Sequence, residues 1–415
     1  MSAEVKKIEV NGIKIDVIYE KSSYIPSVYM KFVFRDSGNL HSTKLGLAKF
    51  SASILNEGTL SDGSYKFANK LEAKAISLHS VTGFETFNIE IEALKEHFEY
   101  GVSQLQKLLK EPNYSDKSME KIKQLSIAKI EKGKNNFDLV ASQNLNKLIF
   151  KDSPMEFPSI GTKESIKDIS LNDIKSYINS HLGYDNVIVV VGGDISFEDV
   201  TKYIKLILSD LPKSKTTKID TLKLQTPKDK FNFVINSDTQ QAYIYFASKF
   251  NLAYNDKNQY KAYVASHILG ASGFGSRMME ELRVKRGLTY GAYAYFVSMK
   301  FTNYFLGHLS TKLESQKEAL EVIEEIINKF VDNGVTQKEL DDTKRYILGS
   351  EPLKNESLSQ RLNSAFNNFY YERGLDYSSQ KLKDIESLTL DELNEFIKSH
   401  QEIKNITFSV VTTQK

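Results

Sequence analysis

Hydrophobic and polar positions along the chain follow two different periods. Near the N-terminus, "KKIEVNGIKIDVIYEK" and "SVYMKFVFRDSG" predict two strands bounded by turn residues. "TGFETFNIEIEAL" alternates apolar and polar residues, as a half-buried strand does. Residues of about 45–55 and 96–110 instead have apolar positions three and four apart, which predicts helices. The first half of the chain therefore mixes strands with helices.

The same kind of pattern restarts in the second half. Residues 209–230 are rich in Lys and Thr and contain Pro212 and Pro227, which is typical of a linker between domains. After it, "TYGAYAYFVSMKFTNYFLGHLSTK" predicts two paired strands, and "ESQKEALEVIEEIINKFVDNG" predicts an amphipathic helix that ends at a glycine. We therefore expect one domain over residues 1–208 and a second over residues 231–415.

Two segments of the chain resemble each other. "ISLNDIKSYINSHLGYDNVIVVVGGD" and "LTLDELNEFIKSHQEIKNITFSVVTT" each run from an acidic helix start through Ser-His into a Val/Ile strand. Their Leu171 and Leu390, Asp173 and Glu392, and His181 and His400 are each 219 residues apart. The repeat predicts an α+β fold of two homologous domains, each a mostly antiparallel sheet packed against helices.

Composition narrows the functional classes. The 55 basic and 53 acidic residues leave a net charge of +2, so no polybasic face for nucleic acid or anionic lipid is expected. There is no cysteine, which excludes disulfides, thiolate nucleophiles and cysteine-based metal sites. No run approaches the roughly 18–20 apolar residues of a membrane span. The chain as written is expected in the cytoplasm, or in the periplasm if a signal peptide has been removed.

The seven histidines do not suggest a metal site. No two of them lie three or four residues apart, so no helix presents a histidine pair to a metal ion. Each is expected to be a surface or satisfied core residue.

A glycine-rich stretch, "LGASGFGSRM", contains Gly270, Gly273 and Gly275. It lacks the Gly-Lys-Ser/Thr ending of a phosphate-binding loop. Phe274 also stands where a nucleophile elbow needs its second glycine. A flexible loop, or one that lets another backbone approach closely, fits these glycines better.

Arg283 and Tyr290 follow this stretch and are seven residues apart, with Gly287 between them. An arginine on the last helical turn and a tyrosine on the next strand could converge on one carbonyl oxygen and stabilise negative charge there. A surface arginine and an unrelated sheet tyrosine remain the alternative.

"GLAKFSASILNEGT", Gly46 to Thr59, resembles the metal-binding helix of the pitrilysin/insulinase (M16) family of zinc peptidases, which includes the mitochondrial processing peptidases. The resemblance places the two zinc-ligand histidines at Lys49 and Ser53 and the catalytic glutamate at Ala52. It places the third ligand at Ala128 or Lys129, with Glu131 close by. The side chains at these three motif positions are thus an amine, a methyl and a hydroxyl instead of two imidazoles and a carboxylate. The resemblance therefore implies no metal and no cofactor in this chain.

"LGASGFGSRMMEELRVKRGLTYGAYAYF" resembles the C-terminal signature of the same family. The resemblance implies that Arg283 and Tyr290 bind substrate and stabilise the transition state at a zinc site, and that the loop glycines contact peptide. It also implies that the two domains form half of a clamshell.

Two functional hypotheses follow from the resemblance. In the first, the chain is the non-catalytic subunit of a heterodimeric zinc peptidase, and a zinc-bearing partner holds the metal while this chain binds peptide. In the second, the chain is a non-enzymatic structural or peptide-binding protein that forms a homodimer. An enzyme with a different nucleophile has no supporting constellation in the sequence.

Overall fold

The computed structural model describes residues 3–414, which divide into two compact units. The first unit takes in the chain up to Glu131 together with Phe157–Ile219 and Lys354–Tyr370. The second takes in Lys132–Glu156, Asp220–Leu353 and the chain from Tyr371 onward. The two sheets lie in sequence on either side of residues 209–230. However, one segment from each half of the chain belongs to the unit of the other half.

The first unit contains a six-stranded sheet in the order β1-β2-β6-β3-β5-β4. Its strands are β1 (Glu4–Val10), β2 (Ile13–Lys21), β3 (Ser27–Phe34), β4 (Ser77–Thr82), β5 (Phe87–Leu94) and β6 (Val187–Gly193). The β2–β6 pair is parallel, and the other neighbours are antiparallel. β5 buries every second residue, as its alternating pattern predicts, whereas the Val/Ile-rich β6 is buried along its whole length.

The second unit contains a five-stranded sheet in the order β7-β11-β8-β10-β9. Its strands are β7 (Phe231–Ile235), β8 (Gln241–Lys249), β9 (Ala292–Ser298), β10 (Asn303–Lys312) and β11 (Thr407–Thr412). The β7–β11 pair is parallel, and the remaining pairs are antiparallel. β9 is therefore an edge strand of this sheet.

The helices in chain order are α1 (Leu47–Leu55), α2 (Gly63–Glu72), α3 (Lys95–Lys110), α4 (Asp116–Gly133), α5 (Phe137–Ile149), α6 (Lys163–Asp168), α7 (Leu171–His181), α8 (Phe197–Leu208), α9 (Gln259–Ser266), α10 (Arg277–Met279), α11 (Gln316–Asn333), α12 (Gln337–Ser350), α13 (Leu358–Tyr370), α14 (Tyr377–Ser387) and α15 (Leu390–Ser399). Their apolar faces pack on the sheets, as in α3, where Phe98, Val102 and Leu105 are buried.

The two units repeat one topology. In each sheet a parallel pair is followed by three antiparallel neighbours, so that β2, β6, β3, β5 and β4 correspond to β7, β11, β8, β10 and β9. The repeated segments occupy equivalent places: α7 precedes β6, and α15 precedes β11. Both helices begin with a capping box, from Ser170 with Asp173 and from Thr389 with Glu392. The predicted α+β fold of two homologous domains is confirmed.

The two exchanged segments are also equivalent. In the first unit α13 packs on β2 and β6, where a Cβ added to Gly192 would lie 2.9 Å from Leu362 Cδ1. In the second unit α5 packs on β8 and β11, where the Asn144 amide donates a hydrogen bond to Ser409 Oγ at 2.9 Å. Each sheet is thus covered by a helix from the other half of the sequence, which explains why the central strands β6 and β11 are buried on both faces.

Candidate functional site

The first candidate site lies on α1, in the first unit. Gly46 precedes this helix with a φ of +85°, and a Cβ there would lie 2.5 Å from the carbonyl oxygen of Ile160. Only glycine therefore fits where the chain enters the helix. Ala52 is buried, whereas Lys49 and Ser53 are partly exposed and line one cavity of about 310 Å³.

The residues of this helix face do not fit a zinc ion. Lys49 brings a positive charge, and Ala52 has no titratable group. The hydroxyl of Ser53 is already engaged, because it donates a hydrogen bond to the Lys49 carbonyl oxygen at 3.0 Å. In the part of the chain that the structure describes, no group of three or more His, Asp or Glu side chains could hold a metal ion.

The position of the expected third ligand is occupied by a second lysine. Of the two residues that the sequence suggested, Lys129 rather than Ala128 lines the cavity with Lys49. Burial lowers the pKa of Lys49, and the nearby charge of Lys129 lowers this pKa further. Glu131 is instead paired with Lys163, whose Nζ lies 3.2 Å from its Oε1. Two lysines therefore line this cavity from positions that the family resemblance assigns to metal ligands.

Replacing Lys49 with methionine is expected to raise the free energy of unfolding slightly at pH 7, by about 0.5 kcal/mol. The substitution removes a half-buried charge and its repulsion with Lys129 while keeping most of the side-chain volume. The pKa of Lys49 in the folded chain lies below the ordinary value of 10.5. At pH values between these two pKa values, the unfolded chain therefore binds more protons than the folded chain. The wild type therefore gains stability as pH rises through that window, and the advantage of the variant should shrink.

Urea unfolding at pH 7 and pH 10 measures this difference. Lys123→Met is the matched control on α4, because Lys123 donates to the Lys167 carbonyl oxygen outside the cavity. A Lys49→Met protein less stable than wild type at pH 7 would show that the Lys49 charge does not destabilise the folded chain.

The second candidate site lies in the second unit, where α9 continues as a π-helical turn through His267–Ala271. Gly270 in this turn is buried, and a Cβ there would lie 2.3 Å from the Ala294 nitrogen of β9. Glycine is therefore needed at position 270, because a side chain there would prevent β9 from packing closely against this turn. Gly273 and Gly275 have positive φ values of +71° and +89° and no neighbour that a Cβ would meet. These two glycines shape the loop itself.

Arg283 contacts Tyr290, and the contact is made to the tyrosine backbone rather than to its side chain. Arg283 lies in a π-helical turn that continues α10, Glu280–Val284. Its Nη1 donates a hydrogen bond to the Tyr290 carbonyl oxygen at 2.7 Å. Tyr290 precedes the first residue of β9 rather than lying on the strand, and its side chain is 86% exposed.

Phe274 completes this arrangement and was missed as a site residue by the sequence analysis. The Arg283 guanidinium carbon lies 4.5 Å from the centroid of the Phe274 ring, within cation–π distance. The sequence signal was an aromatic residue between two glycines in a polar loop. In the structure, the loop supplies the surface on which the guanidinium rests.

Comparison with known families covers both units. The family model described as "Insulinase (Peptidase family M16)" matches residues 17–163, and the one described as "Peptidase M16 inactive domain" matches residues 168–347. The chain belongs to peptidase family M16. The resemblance found in the sequence is thereby confirmed, and the M16 match to the first half includes α1 with its three replaced residues.

Relatives of the chain include a protein named as a non-peptidase homolog and a subunit of a processing peptidase. The "Non-peptidase homolog YmxG" of Helicobacter pylori is 37% identical over 408 residues, which are 98% of this chain and 94% of that protein. The mitochondrial-processing peptidase subunit beta of Saccharomyces cerevisiae is 23% identical over 199 residues, 47% of this chain and 43% of that protein.

A solved structure shares the fold. The crystal structure of a peptidase M16 inactive domain from Pseudomonas fluorescens has a TM-score of 0.90 and 23% identity, and covers 99% of this chain and 98% of that chain. Among residues 3–414, no helix is long and apolar enough to cross a bilayer.

Proposed function

We propose that this chain is the non-catalytic subunit of a heterodimeric M16 zinc peptidase. It binds peptide and contributes Arg283 and Tyr290 to the active site of a zinc-bearing partner. The observation that carries the proposal is the arrangement of Arg283 on Phe274 and against the Tyr290 backbone, in a chain whose α1 has lost the zinc donor set.

Arg283 and Tyr290 have donors available for a substrate. A guanidinium has five N–H donors, and the Tyr290 carbonyl oxygen accepts from Nη1 of Arg283. The exposed Tyr290 phenol provides a further donor. In the proposed complex Arg283 orients the substrate carbonyl, and Tyr290 donates to the oxygen on which negative charge develops. The partner supplies the zinc.

The peptide is proposed to lie beside Tyr290, at the N-terminal end of β9. The outer edge of β9 itself is covered, because Ala292 N–H donates to Met279 Sδ at 3.3 Å and Phe296 N–H donates to Ser266 Oγ at 3.4 Å. The loop at Gly273 and Gly275 is proposed to contact the same peptide, since these two glycines leave their own backbone open on either side of the exposed Phe274 ring. Gly270 is buried and does not contact the peptide; it contributes to the site by allowing β9 to pack closely.

Reconstitution with a zinc-bearing relative tests the proposal. The chain is mixed with an M16 protein from the same organism that carries His-x-x-Glu-His, and complex formation and peptide hydrolysis are measured. We expect a 1:1 complex whose hydrolysis exceeds that of either protein alone and is abolished by a chelator. Absence of both a complex and a rate increase would overturn the proposal.

A second candidate function is a non-enzymatic structural or peptide-binding role, with the chain as a homodimer. It is favoured by the relative of 37% identity, which is described as a non-peptidase homolog. The same mixing experiment separates the two candidates. A homodimer that ignores the zinc-bearing relative and still binds peptide would favour the second.

A further inference from the structure

The cavity beside α1 has the chemistry of an anion site. Lys49 lines it from α1 and Lys129 from α4. Within residues 3–414 neither ammonium group has a carboxylate within ion-pair distance. Lys49 is partly buried and Lys129 is exposed, and both side chains line the same concave space.

The carboxylate of the cavity is already neutralised. Glu57 lines the same space, but its two oxygens accept from Lys121 Nζ at 2.7 and 2.9 Å. Its Oε2 also accepts from Ser64 Oγ at 2.5 Å. Glu57 therefore does not balance Lys49 and Lys129, and the cavity retains the charge of two cations.

Polar and apolar groups lie side by side in the cavity wall. The hydroxyl of Ser126, one turn before Lys129 on α4, lines the cavity and has no partner within the described chain. Phe50, Ile122 and Ile166 supply apolar surface next to these donors. A volume of about 310 Å³ is at the lower end of ligand-binding clefts and accommodates one or two amino-acid residues.

We propose that this cavity binds a carboxylate group of a peptide, held by Lys49 and Lys129 with its apolar neighbour against the cavity wall. Two ammonium groups with a hydroxyl favour a carboxylate through charge-assisted hydrogen bonds. The burial that opposes the charge of Lys49 is offset when an anion arrives. The site belongs to the first unit alone and does not depend on a zinc-bearing partner.

Fluorescence anisotropy with the full chain tests the proposal. Three N-terminally labelled tripeptides are compared: Ala-Ala-Phe with a free C-terminal carboxylate, its C-terminal amide, and the amide of Ala-Glu-Phe. Tighter binding of the first identifies a peptide C-terminus as the source of the carboxylate, and tighter binding of the third identifies an acidic side chain. Equal affinity for all three, or binding of none, would overturn the proposal.

Single substitutions locate the site. Loss of one charge-assisted contact in Lys49→Met or Lys129→Met is expected to weaken binding of the preferred peptide about tenfold. Lys123→Met, which removes the same charge from α4 outside the cavity, should leave binding unchanged. Thermal melting of each variant shows that it is folded. An effect equal in all three variants would indicate general electrostatic attraction and refute the site.

Discussion

Replacing Arg283 with alanine is expected to lower the peptidase activity of the reconstituted complex about 10²–10³-fold in kcat/KM. Loss of the group that orients the reacting carbonyl costs on the order of 10²-fold, and its positive charge also supports the developing oxyanion to which Tyr290 donates. The physical reason is that the guanidinium is fixed before substrate arrives, by Phe274 on one side and by the Tyr290 carbonyl oxygen on the other. No free energy is then needed to organise it during the reaction.

Arg286→Ala is the matched control for this prediction. Arg286 is three residues away and is engaged with Glu281, to which its Nη1 is hydrogen bonded at 2.5 Å. We expect it to change activity less than twofold, as for a surface ion pair. Tyr290→Phe removes only the phenol hydroxyl and separates its contribution from that of the backbone. Unchanged turnover in Arg283→Ala, with the complex intact, would remove Arg283 from the proposed site but leave the subunit association standing.

Replacing Arg361 with alanine is expected to destabilise the first unit by about 3 kcal/mol, at the lower end for breaking a buried ion pair. Arg361 lies on α13, and its Nε donates to Glu20 Oε1 at 2.8 Å. Glu20 on β2 is only 2% exposed, and its second carboxylate oxygen has no hydrogen-bond partner among the described residues. The substitution would leave a charge buried without compensation.

Urea unfolding gives the total loss of stability, and hydrogen exchange of the β2 amides shows whether the loss occurs in the first unit. Arg345→Ala is the control, since Arg345 pairs with Asp342 but is 76% exposed, and we expect it to cost less than about 0.5 kcal/mol. Adding Glu20→Gln to Arg361→Ala should recover part of the stability by removing the unpaired charge. A loss of the same size in both arginine variants would show that the buried pair has no special role.

Much of the fold could be predicted because its signals are local. The helix expected to end at a glycine does so, with α11 closing at Asn333 before Gly334, whose φ is +74°. Capping residues and Val/Ile runs marked the repeated helix–strand segments. The stretch 209–230 has no helix or strand, and Leu224 within it is buried.

The exchange of α5 and α13 could not be predicted in this way. The amphipathic pattern of each helix shows that it has an apolar face but does not show which sheet that face covers. The meeting of Lys49 and Lys129, which are 80 positions apart, also has no local signal, and only the family resemblance placed position 129, as one of two alternatives, in the same ligand set as position 49. Phe274 was missed because a ring beneath a guanidinium leaves no periodic trace.

The placement of α13 also bears on how the chain emerges from the ribosome. The six strands of the first sheet are all synthesised by Gly193, yet the helix that covers β2 and β6 ends at Tyr370. During the synthesis of the intervening residues, an apolar face of the sheet and the carboxylate of Glu20 are not yet covered by α13. We therefore expect the N-terminal half to expose this apolar sheet face, the kind of surface that chaperones bind, until translation is nearly finished.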